Sequence, residues 1–426
     1  MLISKTQLLI FKFAVVAGDF ASLLARKVGR GKGEQIRGKV IGKISKTAIS
    51  IASKDKKIII VSSTNGKTST TRLIADAIEE QYGIVISNAL GANQKAGIIS
   101  ALVSNEHREA KFAVLEIDER SLPTLFDDLS PAYLILGNLS RDQLDRFGEV
   151  ASIATAWKKM LKDSDVKVIA NASDPNIVFA TKDLAPQNVT YIELDSNWHD
   201  DANTCNICGS LLKWSGNDFA CTKCDFKKPS DLVSTSHYDS TIENSLALPG
   251  EWNKNNARLA LKLLEQIEIA DENILKAWPQ VKEVAGRNAV FNIGNDRTLQ
   301  LFLAKNPAGY NELLNFISRS NLRSEDIHKP STIFAFNCNI ADGKDPSWLY
   351  DVRFEDFELN TCFVFGQRAT DMTLRLKIAD KDVAKLNSLN EILKANKSVK
   401  HFYLIASYTQ FHALSRSLPK QFEVAE

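Results

Sequence analysis

The chain has almost no net charge. Its 426 residues carry 53 basic and 51 acidic side chains, a formal +2 at neutral pH. A surface so balanced does not read as a general nucleic-acid binder, and no basic patch interleaved with aromatics argues otherwise. No internal repeat or low-complexity tract is present. A long uninterrupted apolar run is also missing: residues 2–25 are apolar but broken by Lys5, Lys12 and Asp19. Each such charge at mid-bilayer costs about 2.5–3.5 kcal/mol, so a spanning helix is not expected. The same breaks argue against a secretory signal. Cysteine is sparse, six in all, with four in two close pairs. That spacing suits a metal site in a reducing compartment better than a disulfide framework.

What is present is ordinary for a soluble globular chain: 44% hydrophobic and 24% charged residues, with length for two or three domains. Arg26 to Lys46 holds eight basic residues against one acid, Glu34. Two readings of the N-terminus stand: a helix packed on the body followed by a solvated basic segment, or weak attraction to an anionic membrane surface. From residue 58 to about 175, short apolar runs alternate with helical stretches. Strands are expected in KKIIIVSS, GIVISN, KFAVLEID, AYLILGNLS and VKVIAN, with helices over Thr68–Tyr82 and Val150–Leu161. The alternation predicts an α/β domain on a mostly parallel sheet. Residues 200–230 are polar and read as an insert. Helices resume at Asn253–Ile267 and Asp271–Val281. A second alternating region follows from about 300, with strands STIFAFN, TCFVFG and HFYLIAS and helices near 310–320, 370–380 and 386–396. The expected division is an N-terminal segment 1–46, an ATP-binding domain 47–295 and a C-terminal α/β domain 296–426.

Residues 58–71 read IIIVSSTNGKTSTT: an apolar strand, a small polar turn, then a helix start. The longer phosphate-loop pattern fails because Val61 stands where its first glycine would be. The shorter form through Thr64, Asn65, Gly66, Lys67, Thr68 and Ser69 is intact. Gly66 lets backbone approach phosphate, and the helix N-terminus supplies positive potential. Lys67 would neutralise the outer phosphates, and the Thr68 hydroxyl would ligate Mg²⁺. A bare Gly-Lys-Thr helix start without ligand is the plain alternative. Glu116, near the end of the strand AVLEIDE, could hold Mg²⁺ directly or through water. Asn138, Asp142 and Asp145, after the next strand, could handle metal or nucleotide. Either station alone is explained as well by ordinary loop polarity; successive strand ends of one sheet are harder to dismiss.

Cys205-x-x-Cys208 and Cys221-x-x-Cys224 can meet as a tetrahedral four-thiolate site, the pattern of structural Zn²⁺. Gly209 would support the tight turn after the first pair. A closed site leaves no water to activate, so the metal is not expected to catalyse. An iron–sulfur cluster and a metal-free insert remain the alternatives. Cys338 and Cys362 lie in apolar strand patterns and read as core residues.

These motifs resemble the Mur ligase superfamily, which joins an amine to a carboxylate using ATP. The resemblance is carried by STNGKTSTT, VLEID, NLSRDQLDRFGE, LPGEWNKNNARLA (248–260), AGRN (285–288) and AKNPAG (304–309). It implies a Mur-ligase-like central ATPase domain, with the four-cysteine zinc ribbon inserted, and a Rossmann-like C-terminal domain. It implies that Asn253 and Asn256 approach the adenine, that Arg287 contacts nucleotide, and that Asn306 and Pro307 open the C-terminal domain. The departures point to one branch. Asp142-Gln143 stands where ordinary members have Asp-His, Leu303 to Pro307 replaces an Asp-x-x-His-Asn-Pro, and the cysteine insert is extra. The chain is similar in these features, in ADGKDPSWLYD (341–351) and in GQRAT (366–370), to the MurT-type subunits of the MurT–GatD lipid II isoglutaminyl synthases. Ser63 is often glycine in that family.

Read alone, Asp342, Asp345 and Asp351 are turn chemistry, since Asp-Gly and Asp-Pro are common turn formers. The resemblance implies more: a GatD-type glutaminase partner has cysteine and histidine without an in-chain acid, and an aspartate of this subunit orients the histidine. Asp345 is the first choice and Asp342 the second. The resemblance further implies ATP-dependent amidation of the α-carboxyl of D-glutamate in lipid II through an acyl phosphate. The cofactors would be ATP, Mg²⁺ and Zn²⁺, and ammonia would come from the partner. Nothing in the chain looks like a glutaminase. The expected setting is the cytoplasm, at the inner membrane leaflet where lipid II lies. Two alternatives stay open: a self-sufficient Mur- or folylpolyglutamate-type ligase adding an amino acid, and a non-enzymatic zinc-ribbon NTP switch.

Overall fold

The computed structural model describes residues 3–27, 33–88, 92–104, 109–142, 150–195, 198–233, 240–282, 287–323 and 330–425. Asp145 lies outside these residues, as do Gln143 and the first two residues of AGRN. The chain forms two compact units, one of residues 1–139 and 150–281, the other of 140–149 and 282–426.

The first unit is built on a sheet with strand order β2-β3-β1-β4-β5-β6-β9. The strands are β1 (Lys57–Ser62), β2 (Val85–Ser87), β3 (Phe112–Glu116), β4 (Tyr133–Leu136), β5 (Lys167–Asn171), β6 (Val189–Ile192) and β9 (Leu232–Val233). All of its pairings are parallel. Helices cover both faces, so a central strand is buried on both sides and reads as an unbroken apolar run. Ile58, Ile59, Ile60 and Val61 of β1 are each at most 1% exposed. Each such side chain contributes about 1.5–3 kcal/mol of burial. Strand order reverses at β1, which lies between β3 and β4, so a crevice opens beyond its carboxyl end. Helix α4 (Lys67–Tyr82) starts there.

Three helices precede β1: α1 (Lys5–Lys27), α2 (Glu34–Ile44) and α3 (Ala48–Ala52). The face of α1 that packs inward carries small residues, Ala14, Gly18, Ser22 and Ala25. A Cβ on Gly18 would come within 2.6 Å of Ile41 in α2. Arg37 in α2 bonds Asp19 in α1 at 2.6 Å and the carbonyls of Ser100 and Val103 at 3.3 and 3.1 Å. The helix pair is thereby fastened to α5 (Lys95–Leu102), where Gly38 meets the backbone of Ala96 so closely that a Cβ would lie 1.7 Å from its carbonyl oxygen. By length and composition α1 is apolar enough to cross a membrane, and eight of its large apolar side chains are exposed. It is thus packed on the body, as one reading expects, with its buried positions small and only Phe11 and Val15 half-buried beside them.

Between β6 and β9 an antiparallel hairpin, β7 (Leu212–Ser215) and β8 (Asp218–Cys221), carries the cysteine pairs. The second unit has strand order β14-β13-β12-β15-β11-β10-β16. Its strands are β10 (Val290–Asn292), β11 (Thr298–Leu303), β12 (Ser331–Ala335), β13 (Cys362–Phe365), β14 (Val383–Lys385), β15 (His401–Ala406) and β16 (Glu423–Val424). The first five in that order pair parallel, and β10 joins β11 and β16 antiparallel. Cys362 is fully buried in β13, as its pattern implies. Cys338 is not a core residue: it falls past the end of β12, half-buried on a loop, because that strand stops at Ala335.

Candidate active site

The turn after β1 is held by the end of β4. The backbone N–H of Thr64 donates to the carbonyl of Asn138 at 2.8 Å. The Asn138 side chain accepts from the N–H of Asn65 at 3.0 Å and donates to its carbonyl at 3.0 Å. Asn138 is therefore a brace for the loop. Ser63 fits beneath it, donating to the Asn65 carbonyl and accepting the Asn138 N–H. Gly137 leaves room, since a Cβ there would lie 2.8 Å from the Ser63 hydroxyl. Gly66 caps α4 with φ 86° and ψ −11°. A side chain there would be strained by the backbone and would meet the Asn256 amide oxygen at 2.2 Å. Asn256, on the helix Glu251–Gln266, thus stands directly against the loop. Asn253 supports it, accepting from the Asn256 amide at 3.3 Å and donating to the Pro249 carbonyl at 2.8 Å.

Lys67 is 7% exposed, and its ammonium is fully occupied. It pairs with Glu119 at 3.0 Å and donates to the carbonyls of Ser63 and, at 3.3 Å, Thr64. Glu119 is not among the residues singled out in the sequence, although it closes the same AVLEIDE segment. Its backbone carbonyl accepts from the Trp157 indole at 2.8 Å. Thr68 is buried beside Lys67 in the first turn of α4, and Ser69 is half-buried. Glu116 ends β3 in register with Val61 of β1, so its carboxylate stands at the strand end flanking the loop. It is 2% exposed; Oε1 accepts from Asn93 at 3.0 Å, and Oε2 has no hydrogen-bond partner among the described residues. A buried carboxylate oxygen left open beside a phosphate loop fits the donor chemistry of a Mg²⁺ site.

Asp174 is a further buried acid missing from the sequence-based expectations. It caps the helix Pro175–Thr181 through the N–H of Asn176 at 2.8 Å, and it accepts the N–H of Leu139, next to Asn138, at 2.7 Å. Burial pushes its carboxyl up to about 6, against the three N–H groups that donate to it.

The four cysteines converge. All four Sγ atoms lie within 4.8 Å of one another, with Cys205–Cys224 at 3.7 Å and Cys208–Cys221 at 3.4 Å. A tetrahedral Zn²⁺ with bonds of about 2.3 Å sets sulfurs roughly 3.8 Å apart, so the set fits that ion. Backbone N–H groups of Ile207 and Lys223 point at Cys205 and Cys221, each at 3.4 Å. Gly209 turns the first knuckle with φ 74°. Backbone and side-chain donation from Ser210 pulls the Cys208 thiol down to about 6, whereas burial raises Cys205 and the neighbouring thiols help raise Cys224, so without a metal the four do not ionise together.

In the second unit Asp342 and Asp345 have opposite surroundings. Asp342 is 4% exposed and accepts from Asn339 N–H at 2.9 Å, Thr409 N–H at 2.7 Å and the Thr409 hydroxyl at 2.5 Å. Asp345 is exposed, and among the described residues Ser347 holds it, through N–H at 2.9 Å and hydroxyl at 2.8 Å. Those bonds, the backbone one foremost, keep its carboxyl below the usual range. Asp351 pairs with Arg141 at 3.2 Å, and Asp142 with Lys305. Asn306 caps the helix Pro307–Arg323 by accepting the Gly309 N–H at 2.8 Å, with Pro307 at the first helical position. Arg287 is half-buried at the edge of β10 in the second unit.

Comparison with known proteins agrees with this architecture. Residues 61–264 match the Mur ligase middle domain, and residues 303–411 match the MurT ligase C-terminal domain. The chain belongs to the Mur ligase superfamily of ATP-dependent ligases. Within it, the C-terminal match sets the chain in the MurT branch. It is 28% identical over 433 residues to a Staphylococcus aureus protein named lipid II isoglutaminyl synthase (glutamine-hydrolyzing) subunit MurT, covering 94% of this chain and 97% of that one. A Streptococcus pneumoniae protein of the same name is 28% identical, with 93% and 94% covered. Among solved structures, a type C pseudomurein peptide ligase from Methanothermus fervidus superposes with a TM-score of 0.60 at 17% identity, covering 86% of this chain and 79% of that one, a likeness of fold.

Proposed function

We propose that the chain is the synthase subunit of a lipid II isoglutaminyl synthase, which converts the α-carboxyl of D-glutamate in lipid II to an amide. A carboxylate is a poor electrophile because its leaving group would be oxide. The remedy is transfer of the ATP γ-phosphoryl group to a carboxylate oxygen, releasing ADP and leaving an acyl phosphate. Ammonia then attacks the acyl carbon, and inorganic phosphate departs with that oxygen. The observation that carries this reading is the pairing of the phosphate loop with Glu116 at neighbouring strand ends, in a chain similar to MurT subunits over nearly its whole length.

Gly66, Thr64, Asn65 and Ser69 would cradle the phosphates, and Lys67 would leave Glu119 for them. Thr68 and the open oxygen of Glu116 would hold Mg²⁺, which when bound offsets phosphate charge. Asn256, held by Asn253, would meet the nucleotide where it passes Gly66, with Arg287 a further nucleotide contact. Cys205, Cys208, Cys221 and Cys224 would hold structural Zn²⁺. Ammonia would come from a GatD-type glutaminase, whose cysteine–histidine pair Asp345 would complete. Asp345 suits that role better than Asp342 because it is exposed, ionised and held still by Ser347. The lipid-linked acceptor would set the reaction at the cytoplasmic membrane surface.

The test is reconstitution. The chain alone should amidate lipid II with ATP and ammonium, and use glutamine only when the glutaminase is added. Oxygen-18 in the acceptor carboxyl should appear in released phosphate, read by mass spectrometry. Product formed without label transfer would exclude the acyl phosphate. Ligation of an amino acid without any partner would favour the stand-alone ligase.

A further inference from the structure

Eight of the 18 large apolar side chains exposed among the described residues lie on one helix, α1. Leu9, Phe13, Val16 and Phe20, spaced as one helical stripe, are 65–67% exposed, and Leu23 and Leu24 continue it. This is the reverse of a helix whose large residues serve the core: the buried positions are small, only Phe11 and Val15 of the large apolar residues are half-buried against the core, and the other eight face out. Exposed Lys5 and Lys12 border the stripe, and Arg26 and Lys27 end it. The one acid of the helix, Asp19, is taken by Arg37. Exposed Lys39, Lys43 and Lys46 add further cations on the adjoining segment.

We propose that the outer face of α1 lies flat in the interfacial layer of an anionic bilayer and holds the molecule on the membrane. Apolar side chains with a cationic border match that surface, whereas an acidic border or none would favour a protein partner. The helix does not span. Its inner face is locked to α2 through Gly18 and Asp19, and α2 is fastened to α5, so lipid cannot surround it. This face and its charges stand independently of the amidation reading, and vesicle binding involves no turnover.

The experiment is co-sedimentation of the full chain with vesicles of phosphatidylglycerol and phosphatidylethanolamine, and with phosphatidylcholine vesicles, at low and high salt. Binding should favour the anionic vesicles and weaken with salt. The double variant F13E/F20E, at exposed positions, should lose at least about tenfold in partitioning while keeping its circular dichroism and melting temperature. K5Q/K12Q should weaken the salt-dependent part and leave the apolar part in place. No binding by the wild type, or equal binding by F13E/F20E, overturns the proposal. So does a dimer that F13E/F20E dissociates in the absence of vesicle binding, since the face would then belong to a second copy of this chain.

Discussion

At the scale of single residues, the phosphate loop already holds its lysine in a local ion pair. Nucleotide must draw Lys67 from Glu119, whose charge also repels phosphate. E119Q should therefore bind ATP roughly three- to tenfold more tightly by calorimetry, about 1 kcal/mol or slightly more. Unchanged or weaker binding would count against the pair as a latch. Asp174 gives a stability prediction. Its folded-state value of about 6 lies above the ordinary 3.8, so the native state binds the proton more tightly than the unfolded chain. The resulting stabilisation is complete below about pH 4 and is lost as pH rises through about 6, a change of about 3 kcal/mol. D174N should lack it. The wild-type stability relative to D174N should fall by about 2 kcal/mol of that from pH 4 to pH 6.5 in urea titrations, and parallel curves would refute the assignment. Lys67 and Glu116 are legible from sequence because a strand, a small-residue turn and a helix start fix their surroundings. The Glu119–Lys67 pair and the Asp174–Leu139 contact are not: each joins partners brought close only by folding, 52 and 35 positions apart.

At the scale of elements, close backbone contact fastens α2 to α5. G38A drives a Cβ to 1.7 Å from a backbone carbonyl, whereas G42A meets only the end of the flexible Ile99 side chain at 2.9 Å. Chemical denaturation should show G38A losing about 1–3 kcal/mol or more, and G42A under about 1. Equal effects would mean the contact does not govern that packing. The same scale explains what the sequence reveals of the fold. β1, β3, β4 and β5 are evident because burial on both faces makes each an apolar run. β6, β10, β14 and β16 are short and partly exposed, and nothing in their patterns separates them from loop. β11, central in its sheet, is interrupted by Gln300 and escapes the same reading. The orientation of α1 is hidden for a different reason: apolar periodicity marks a face but not whether protein covers it.

At the scale of the whole molecule, the proposal divides labour between two polypeptides, and the two aspartates beyond β12 separate architecture from chemistry. D345N removes an exposed charge and should leave the melting temperature and complex formation unchanged. Glutamine-dependent amidation should fall by at least ~10³ while ammonium-dependent amidation persists. D342N weakens an acid that accepts from Asn339 and twice from Thr409, and should cost about 1–3 kcal/mol of stability, with both activities falling together. Normal glutamine use by D345N would remove that residue from the partner's triad.

The cysteine-bearing hairpin has a topological consequence. β6 and β9 lie side by side and run in the same direction, with Tyr191 opposite Leu232 and Ile192 opposite Val233. Parallel neighbours cannot be joined by a tight turn; the chain must first travel back along the sheet. Between the neighbours β4 and β5 a helix makes that return journey, and here the four-cysteine segment makes it. It is a crossover connection, and splicing a two-residue turn in its place would detach the edge strand. A relative that dispensed with the four thiols would have to supply a new return path as well.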